Sequence, residues 1–446
     1  GEIRRRPSPD AVPASSALGP AGEVLSMEII AQHQTLFLTL ALACGLYMTW
    51  GIGANDVANA MGTTVGSGAI TVRQAVVLAA TMEFLGAYLA GGAVADTIAK
   101  GIIDGELFRP VPHLLMFGMI AALLATGIWL MIATLRGWPV SSTHTIVGAV
   151  CGVGVAALGV DAVQWEMMAE IVASWLISPM LGGLVSLFLT LSIRRFIFNT
   201  RDPVGEARKW APVYAFLVGW IVSLIVVVKG LKHVDITLGN VEGQVLAVAI
   251  GIVVAIAARL IMNGVQVDAR ADRAFQYASV ERLFIPQMVF TGAAMAFAHG
   301  SNDVANGIGP MAAAIQIIET QAVSATSPVT PLMLFIGGLG IVAGLATYGY
   351  KVMATLGHKI TELTPTRAYC ATIAAAFVTV AASGFGLPVS TTHIAVGAVM
   401  GVGIARGIGA LDLRVVSGIV VSWLVTVPVG AILAAITFHI LRASFS

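Results

Sequence analysis

The sequence predicts an all-α polytopic membrane protein of about twelve transmembrane segments, arranged as two inverted repeats that each carry a helical hairpin. Three observations predict it. Of 446 residues, 57% are hydrophobic and 11% charged, where soluble domains run at roughly a quarter charged, and the mean hydropathy is +0.90. Apolar runs long enough to cross a bilayer follow one another along nearly the whole chain. Two polar motifs embedded in those runs each occur twice, in the same order.

Taken in order, the apolar runs lie at about 33–53, 71–95, 113–136, 143–160, 166–190, 211–229, 243–263, 285–308, 332–350, 368–386, 391–408 and 415–440. Ahead of them, residues 1–32 are rich in Pro, Ala and Ser without periodicity. They read as a disordered tail, and they lack the apolar core of a standard signal peptide. Residues 33–190 and 285–446 form the two repeats, with central helices and short loops at 191–284.

An even number of spans puts both termini on one side. With both outside, the inner loops hold fourteen Lys and Arg against five in the outer loops and C-terminus, the bias that marks the cytoplasmic face. A multi-pass protein of the cell membrane is therefore expected. The 24 Lys+Arg nearly balance the 23 Asp+Glu, so no basic field points to nucleic acid. Cys44, Cys151 and Cys370 lie in apolar runs at unrelated spacings and read as packing, not as a disulfide framework or a metal site. Forty-nine glycines suit helices that approach closely.

The first motif is N-D-V-A-N, at 55–59 and again at 302–306. The second is "WPVSSTH" at 138–144 and "LPVSTTH" at 387–393. The first copy of N-D-V-A-N ends a span running inward, whereas the second ends one running outward. This is an inverted repeat, the architecture of many secondary transporters.

In the first motif, Asn55 and Asn59 share a helix face with Asp56 beside it, and Asn302, Asp303 and Asn306 repeat the pattern. A carboxylate at the centre of a span costs roughly 2.5–3.5 kcal/mol. Flanking glycines and Pro310 predict an interrupted helix, whose freed carbonyls with amide and carboxylate oxygens suit a hard cation such as sodium. The competing reading is a polar clamp between helices.

In the second motif, proline stops one helix and hydroxyl residues start another. Such a start leaves N–H donors and a positive dipole end inside the membrane, an anion site without a cationic side chain. The competing reading is a turn whose hydroxyls only satisfy backbone. His144 and His393 follow the hydroxyls and read as packing or as ligands. Glu83, an acid in the middle of a span, has Ile341 at its counterpart position and is an ion-coupling candidate. Arg136 precedes the first tip and either snorkels or helps neutralise an anion. No G-x-S-x-G elbow is present, and a duplicated Ser, His and Asp set does not suit one nucleophile, so no enzyme is expected.

At "GANDVANAMGTTVGSGAITVRQA", "IVASWLISP", "SNDVANGIGP" and "GLPVSTTH" the chain closely resembles the inorganic phosphate transporter family, the sodium- or proton-coupled phosphate permeases. The first string and Glu83 are most similar to the sodium-coupled branch. The long hydrophilic central loop of eukaryotic members is absent.

The resemblance implies a homodimer that imports phosphate by symport with sodium, with no cofactor beyond the co-transported ions. It implies phosphate held by Asn59, Ser141, Ser142, Thr143, Asn306, Ser390, Thr391 and Thr392. Sodium would be served by Asn55, Asp56, Asn302 and Asp303, with Glu83 added as a further ion ligand. A proton-coupled phosphate permease or a sulfate permease of the same architecture is the rival function, followed by an anion channel and, least favoured, an intramembrane hydrolase.

Overall fold

In the computed structural model, residues 28–225, 239–264, 272–324, 329–358 and 361–445 are described. They are almost entirely helical. Among them there is no strand, only an isolated bridge between Ile103 and Val163. A short helix α1 over 28–32 precedes α2 (Gln34–Gly66), α3 (Val72–Ala90), α4 (Gly92–Lys100), α5 (Gly105–Phe108), α6 (Pro112–Leu135), α7 (Ser142–Leu158) and α8 (Trp165–Ile193). Then come α9 (Pro203–Ile225), α10 (Asn240–Asn263), α11 (Arg273–Thr320), α12 (Pro331–His358), α13 (Pro365–Gly384), α14 (Thr391–Arg406) and α15 (Leu413–Phe445). Eleven of the twelve expected spans fall on one helix each, that at 211–229 on α9 as far as the described residues reach, and the remaining one, at 71–95, falls on α3 and α4 together. Nine helices among the described residues are long and apolar enough to cross a bilayer.

Three expectations need correction. Residues 1–27 of the expected tail lie outside the described residues, as do Lys229, Lys232, Arg270 and Lys359 of the charge comparison, but 28–32 are helical with Ile30 fully buried. The span read at 71–95 divides at Gly91, where α3 ends and α4 begins. Most consequentially, the N-D-V-A-N segments are not interrupted: both lie inside continuous helices, α2 of 33 residues and α11 of 48.

The glycines there serve close approach instead of unwinding. A Cβ on Gly53 would stand 1.9 Å from the carbonyl oxygen of Ile341, and one on Gly300 would stand 2.2 Å from that of Glu83. Backbone packs on backbone, so only glycine fits. Pro310 does leave one local gap: lacking an N–H, it deprives the carbonyl of Asn306, four residues earlier, of its helix partner.

Packing crosses between the two halves of the chain. The second half's α12 lies along α2, while the first half's α3 lies along α11. Likewise α8 packs on α14, and α15 on α7. Glycine contacts recur at equivalent places: Gly148 meets the carbonyl of Val427, and Gly397 meets that of Pro179.

Local sequence explains where helices begin and end. Thr71 and Gln74 form a reciprocal capping box at the start of α3, and Asp272 caps α11 by accepting from Phe275 N at 2.8 Å. After α6 and α13 the chain turns through Gly137 (φ 66°) and Gly386 (φ 71°), a left-handed conformation that excludes most side chains. A proline follows each turn closely, and Ser141 and Ser390 then open α7 and α14.

Candidate functional site

The two hairpin tips meet each other inside the bundle. Thr143 Oγ1 donates to the carbonyl of Val389 at 3.1 Å, and Thr392 Oγ1 donates to that of Val140 at 3.2 Å. Ser141 Oγ accepts from His144 N at 3.1 Å, and Ser390 Oγ accepts from His393 N at 3.2 Å, each as a helix N-cap. The next N–H groups, of Ser142 and Thr143 and of Thr391 and Thr392, belong to first helical turns and have no acceptor within their own helix. Two helix N-termini thus open into one buried region, with all six hydroxyl residues at about 1% exposure.

The asparagines lock these tips to α2 and α11. Asn55 Nδ2 donates to Thr134 Oγ1 (3.1 Å) and to the carbonyl of Trp138 (3.0 Å), while its Oδ1 accepts from Val140 N (3.3 Å). Asn55 therefore steadies the tip of its own half. Asn302 occupies the same place in the second half, 2.8 Å from Ser383 Oγ. With its amide oxygen toward that hydroxyl, Asn302 donates to Asp303 Oδ1 at 3.1 Å and to the carbonyl of Val389 at 3.2 Å. Asn59 and Asn306 reach across instead. Asn59 Nδ2 donates to Thr392 Oγ1 (2.8 Å) and lies 3.3 Å from Thr391 Oγ1. Asn306 Nδ2 reaches Thr143 Oγ1 (3.2 Å) and Ser142 Oγ (3.3 Å).

The acids sit beside this lattice. Asp303 Oδ2 accepts from Thr391 Oγ1 at 2.9 Å. No hydrogen bond of ordinary geometry reaches either carboxylate oxygen of buried Asp56, although the Ser142 hydroxyl stands beside it. Asp56, Asp303 and His299 each offer a ligand atom within 4.8 Å of the others, a grouping that could hold a metal ion. Two bare carboxylates at that separation repel by about 3 kcal/mol at an effective dielectric of about 20, so a cation between them is electrostatically favoured.

Glu83 stands one residue further out: its Oε1 lies 3.2 Å from His299 Nδ1, and His299 Nε2 lies 3.1 Å from Asp303 Oδ2. Glu83 thus touches the aspartates only through an imidazole that the sequence reading passed over. The signal for His299 was present: it is four residues before Asp303, on the same helix face.

His144 and His393 lie behind the tips. His144 stacks on Trp175 with ring centroids 3.7 Å apart, His393 stacks on Trp423 at 3.5 Å, and the two imidazoles meet edge-on at 4.1 Å. Their ring faces are occupied by tryptophan, as expected of packing residues. Trp175 also donates Nε1 to the carbonyl of Pro388 at 3.2 Å, bracing the second tip from α8. Arg136 stays outside the cluster, with its guanidinium 5.1 Å from the centre of the Trp138 ring.

Long apolar helices enclosing a polar lattice with buried acids define a multi-pass membrane transporter. The model of the Phosphate transporter family matches residues 52–434, and the chain belongs to that family. It is 44% identical over 422 residues to the inorganic phosphate transporter 2-1, chloroplastic, of Arabidopsis thaliana, covering 89% of this chain and 70% of that protein. A solved structure described as the sodium-dependent phosphate transporter superposes with a TM-score of 0.84 at 40% identity, over 92% of this chain and 99% of its own. The fold class read from the sequence and the resemblance to this family are both borne out.

Proposed function

We propose that the protein imports inorganic phosphate by symport with sodium, alternating access between two inverted halves. The observation that carries this reading is Asp56, a buried carboxylate reached by no hydrogen bond of ordinary geometry, grouped with Asp303 and His299 beside two helix N-termini. The hydroxyls of Ser141, Ser142 and Ser390 and the N–H groups of Ser142, Thr143, Thr391 and Thr392 serve phosphate oxygens, joined by the amides of Asn59 and Asn306. The hydroxyls of Thr143, Thr391 and Thr392 stay with Val389, Asp303 and Val140. Ser141 and Ser390 already accept a capping bond, which leaves each hydroxyl hydrogen free to donate.

Phosphate cannot enter next to two unscreened carboxylates. Sodium held by Asp56 and Asp303 removes that repulsion, and Asn55 and Asn302 join it by turning amide oxygens that here accept from Val140 N and face Ser383 Oγ. Each ligand then raises the other's affinity, which is coupling in the thermodynamic sense. Glu83 bears on the same ions through His299. The sodium-dependent solved relative supports the choice of ion. In this reading the protein is a homodimer of the cell membrane with both termini outside, each hairpin entering the bilayer and turning back at its tip.

A second reading, proton coupling, draws on the chain of Glu83, His299 and Asp303, three buried groups able to carry a proton. Radiolabelled phosphate uptake into proteoliposomes, with sodium and proton gradients imposed separately, decides between them. Uptake driven by sodium alone and resistant to excess sulfate is expected. Equal uptake under a proton gradient without sodium would replace the first reading by the second.

A further inference from the structure

We infer that the cleft at the base of the second hairpin, remote from the tips, binds a phosphate-bearing anion. The cleft measures about 560 Å³ and lies where the end of α8, the start of α11 and the outer ends of α13 and α14 converge. Three arginines line it, Arg194, Arg367 and Arg406, with Glu281 as the acid among them. Along α14 the rise of about 1.5 Å per residue puts Arg406 about 22 Å from Thr391 at the tip. This is a separate site and not an extension of the first.

The acids nearby do not consume the positive charge. Glu281 is committed to capping α13: its Oε2 accepts from Thr366 N and its Oε1 from Thr366 Oγ1, both at 2.8 Å. Glu362 approaches Arg406 at 3.4 Å and Arg367 at 3.9 Å, but its side chain is 79% exposed and free to swing out. The side chains of Arg367 and Arg406 are only 30% and 27% exposed, so their charges are partly desolvated. Arg194 makes no ion pair among the described residues. Guanidinium groups present paired N–H donors that match phosphate oxygens, and three of them line this cleft, Arg406 also donating to Thr361 Oγ1 at 3.3 Å and to the Glu362 carbonyl at 3.1 Å.

The first hairpin is built without such arginines. At the positions of the first hairpin equivalent to Arg367 and Arg406 stand Gly118 and Ala157. The wall is also irregular, because α8 widens into a π-helical turn over Arg194–Phe198 just where it meets the cleft, a deviation frequent at functional sites. This end of the molecule carries the lysine and arginine excess that marks the cytoplasmic face. A basic pocket between helix ends there faces anionic headgroups as well as cytosolic phosphate. The shared chemistry is a phosphate group, either the headgroup of an anionic lipid or free inorganic phosphate.

The experiment uses the purified full-length protein and the variants Arg406→Gln and Arg194→Gln. In one arm, thermal unfolding is followed in phosphate-free buffer against soluble dioctanoyl phosphatidylglycerol, with dioctanoyl phosphatidylcholine as the uncharged reference. In the other, equilibrium dialysis with radiolabelled inorganic phosphate counts binding sites per chain. Saturable stabilisation by the phosphatidylglycerol alone, with the half-saturating concentration raised about tenfold in the variants, assigns the cleft to lipid.

A second phosphate equivalent, lost in the variants while the first persists, assigns it to free phosphate. Parent and variants behaving alike in both arms overturns the inference. If Arg406→Gln is not monodisperse, Arg194→Gln decides, since Arg194 is exposed and makes no ion pair among the described residues. Ser142→Ala, at the tip, leaves the cleft's binding unchanged, so failure at the cleft is distinct from failure of the transport reading.

Discussion

Glu83 Oε1 lies 3.2 Å from His299 Nδ1, and both side chains are fully buried. The equivalent positions in the opposite halves are Ile341 and Ile52, so a polar pair on one side of the molecule faces an apolar pair on the other. Glu83 and its counterpart Ile341 both stand at close backbone contacts, Glu83 against Gly300 and Ile341 against Gly53. The two halves therefore share a scaffold but differ in charge at one point, and that point touches Asp303 through His299.

Glu83→Gln keeps the side chain's shape and hydrogen-bonding capacity, so the fold is retained. Net phosphate uptake is expected to fall while exchange of phosphate for phosphate survives, with a lower sodium Hill coefficient. Both are measured in the same proteoliposomes. Net uptake and a Hill coefficient equal to the parent's would make Glu83 a structural residue.

Asp56→Asn and Asp303→Asn test the ion grouping itself. Each removes one carboxylate charge from a pair whose repulsion is about 3 kcal/mol at an effective dielectric of about 20. Loss of a cation contact of that size corresponds to about a 100-fold weaker sodium affinity. Sodium-driven uptake is expected to be abolished with membrane insertion unimpaired, since a neutral side chain crosses more easily. Parent-like uptake with unchanged sodium dependence in either variant contradicts the assignment.

At the tips, the structure separates two kinds of hydroxyl. Ser142→Ala removes a donor without disturbing a cap, and weaker phosphate binding by about 1.5–3 kcal/mol is expected, the size of a hydrogen bond to a charged partner. Ser141→Ala and Ser390→Ala also remove an N-cap, so they cost in addition about 1 kcal/mol of stability. Phosphate affinity by isothermal titration, beside thermal unfolding, distinguishes the two. Unchanged affinity in all three variants would make the tips plain structural turns.

Much of this was legible in the sequence because membrane helices and helix caps write locally. Eleven of the twelve apolar runs found one helix each, and proline followed by hydroxyls found Ser141 and Ser390 at the N-caps of α7 and α14. What was illegible is relational. That Asn59 holds Thr392 of the opposite tip, and Asn306 Thr143, depends on packing across halves that no local pattern encodes. Glycine is ambiguous for the same reason: Gly53 and Gly300 suggested a broken helix, yet they sit in unbroken ones where a neighbouring backbone leaves no room for a Cβ. His299 escaped notice because a lone histidine in an apolar run is ordinarily a packing residue. Only its spacing from Asp303 marked it.

The glycine contacts give the last prediction. In Gly53→Ala the new methyl would stand 1.9 Å from the Ile341 carbonyl oxygen, and the obstacle is backbone, which cannot rotate away as a side chain can. Relief requires α2 and α12 to part along their shared length. Overpacking of well-packed interiors costs about 1–3 kcal/mol, and this site belongs at the upper end. Gly300→Ala meets the Glu83 carbonyl in the same way, so it should lower phosphate uptake as well as stability by displacing Glu83 from His299. Gly418→Ala is the control: it lies in α15 with nothing within 4 Å of the added carbon, and replacing a helical glycine there should be neutral or stabilising by about 0.5–1 kcal/mol. Thermal unfolding of the three purified variants tests the ranking. Gly53→Ala melting with the parent would mean that α2 and α12 tolerate separation and that the glycine was not chosen for close approach.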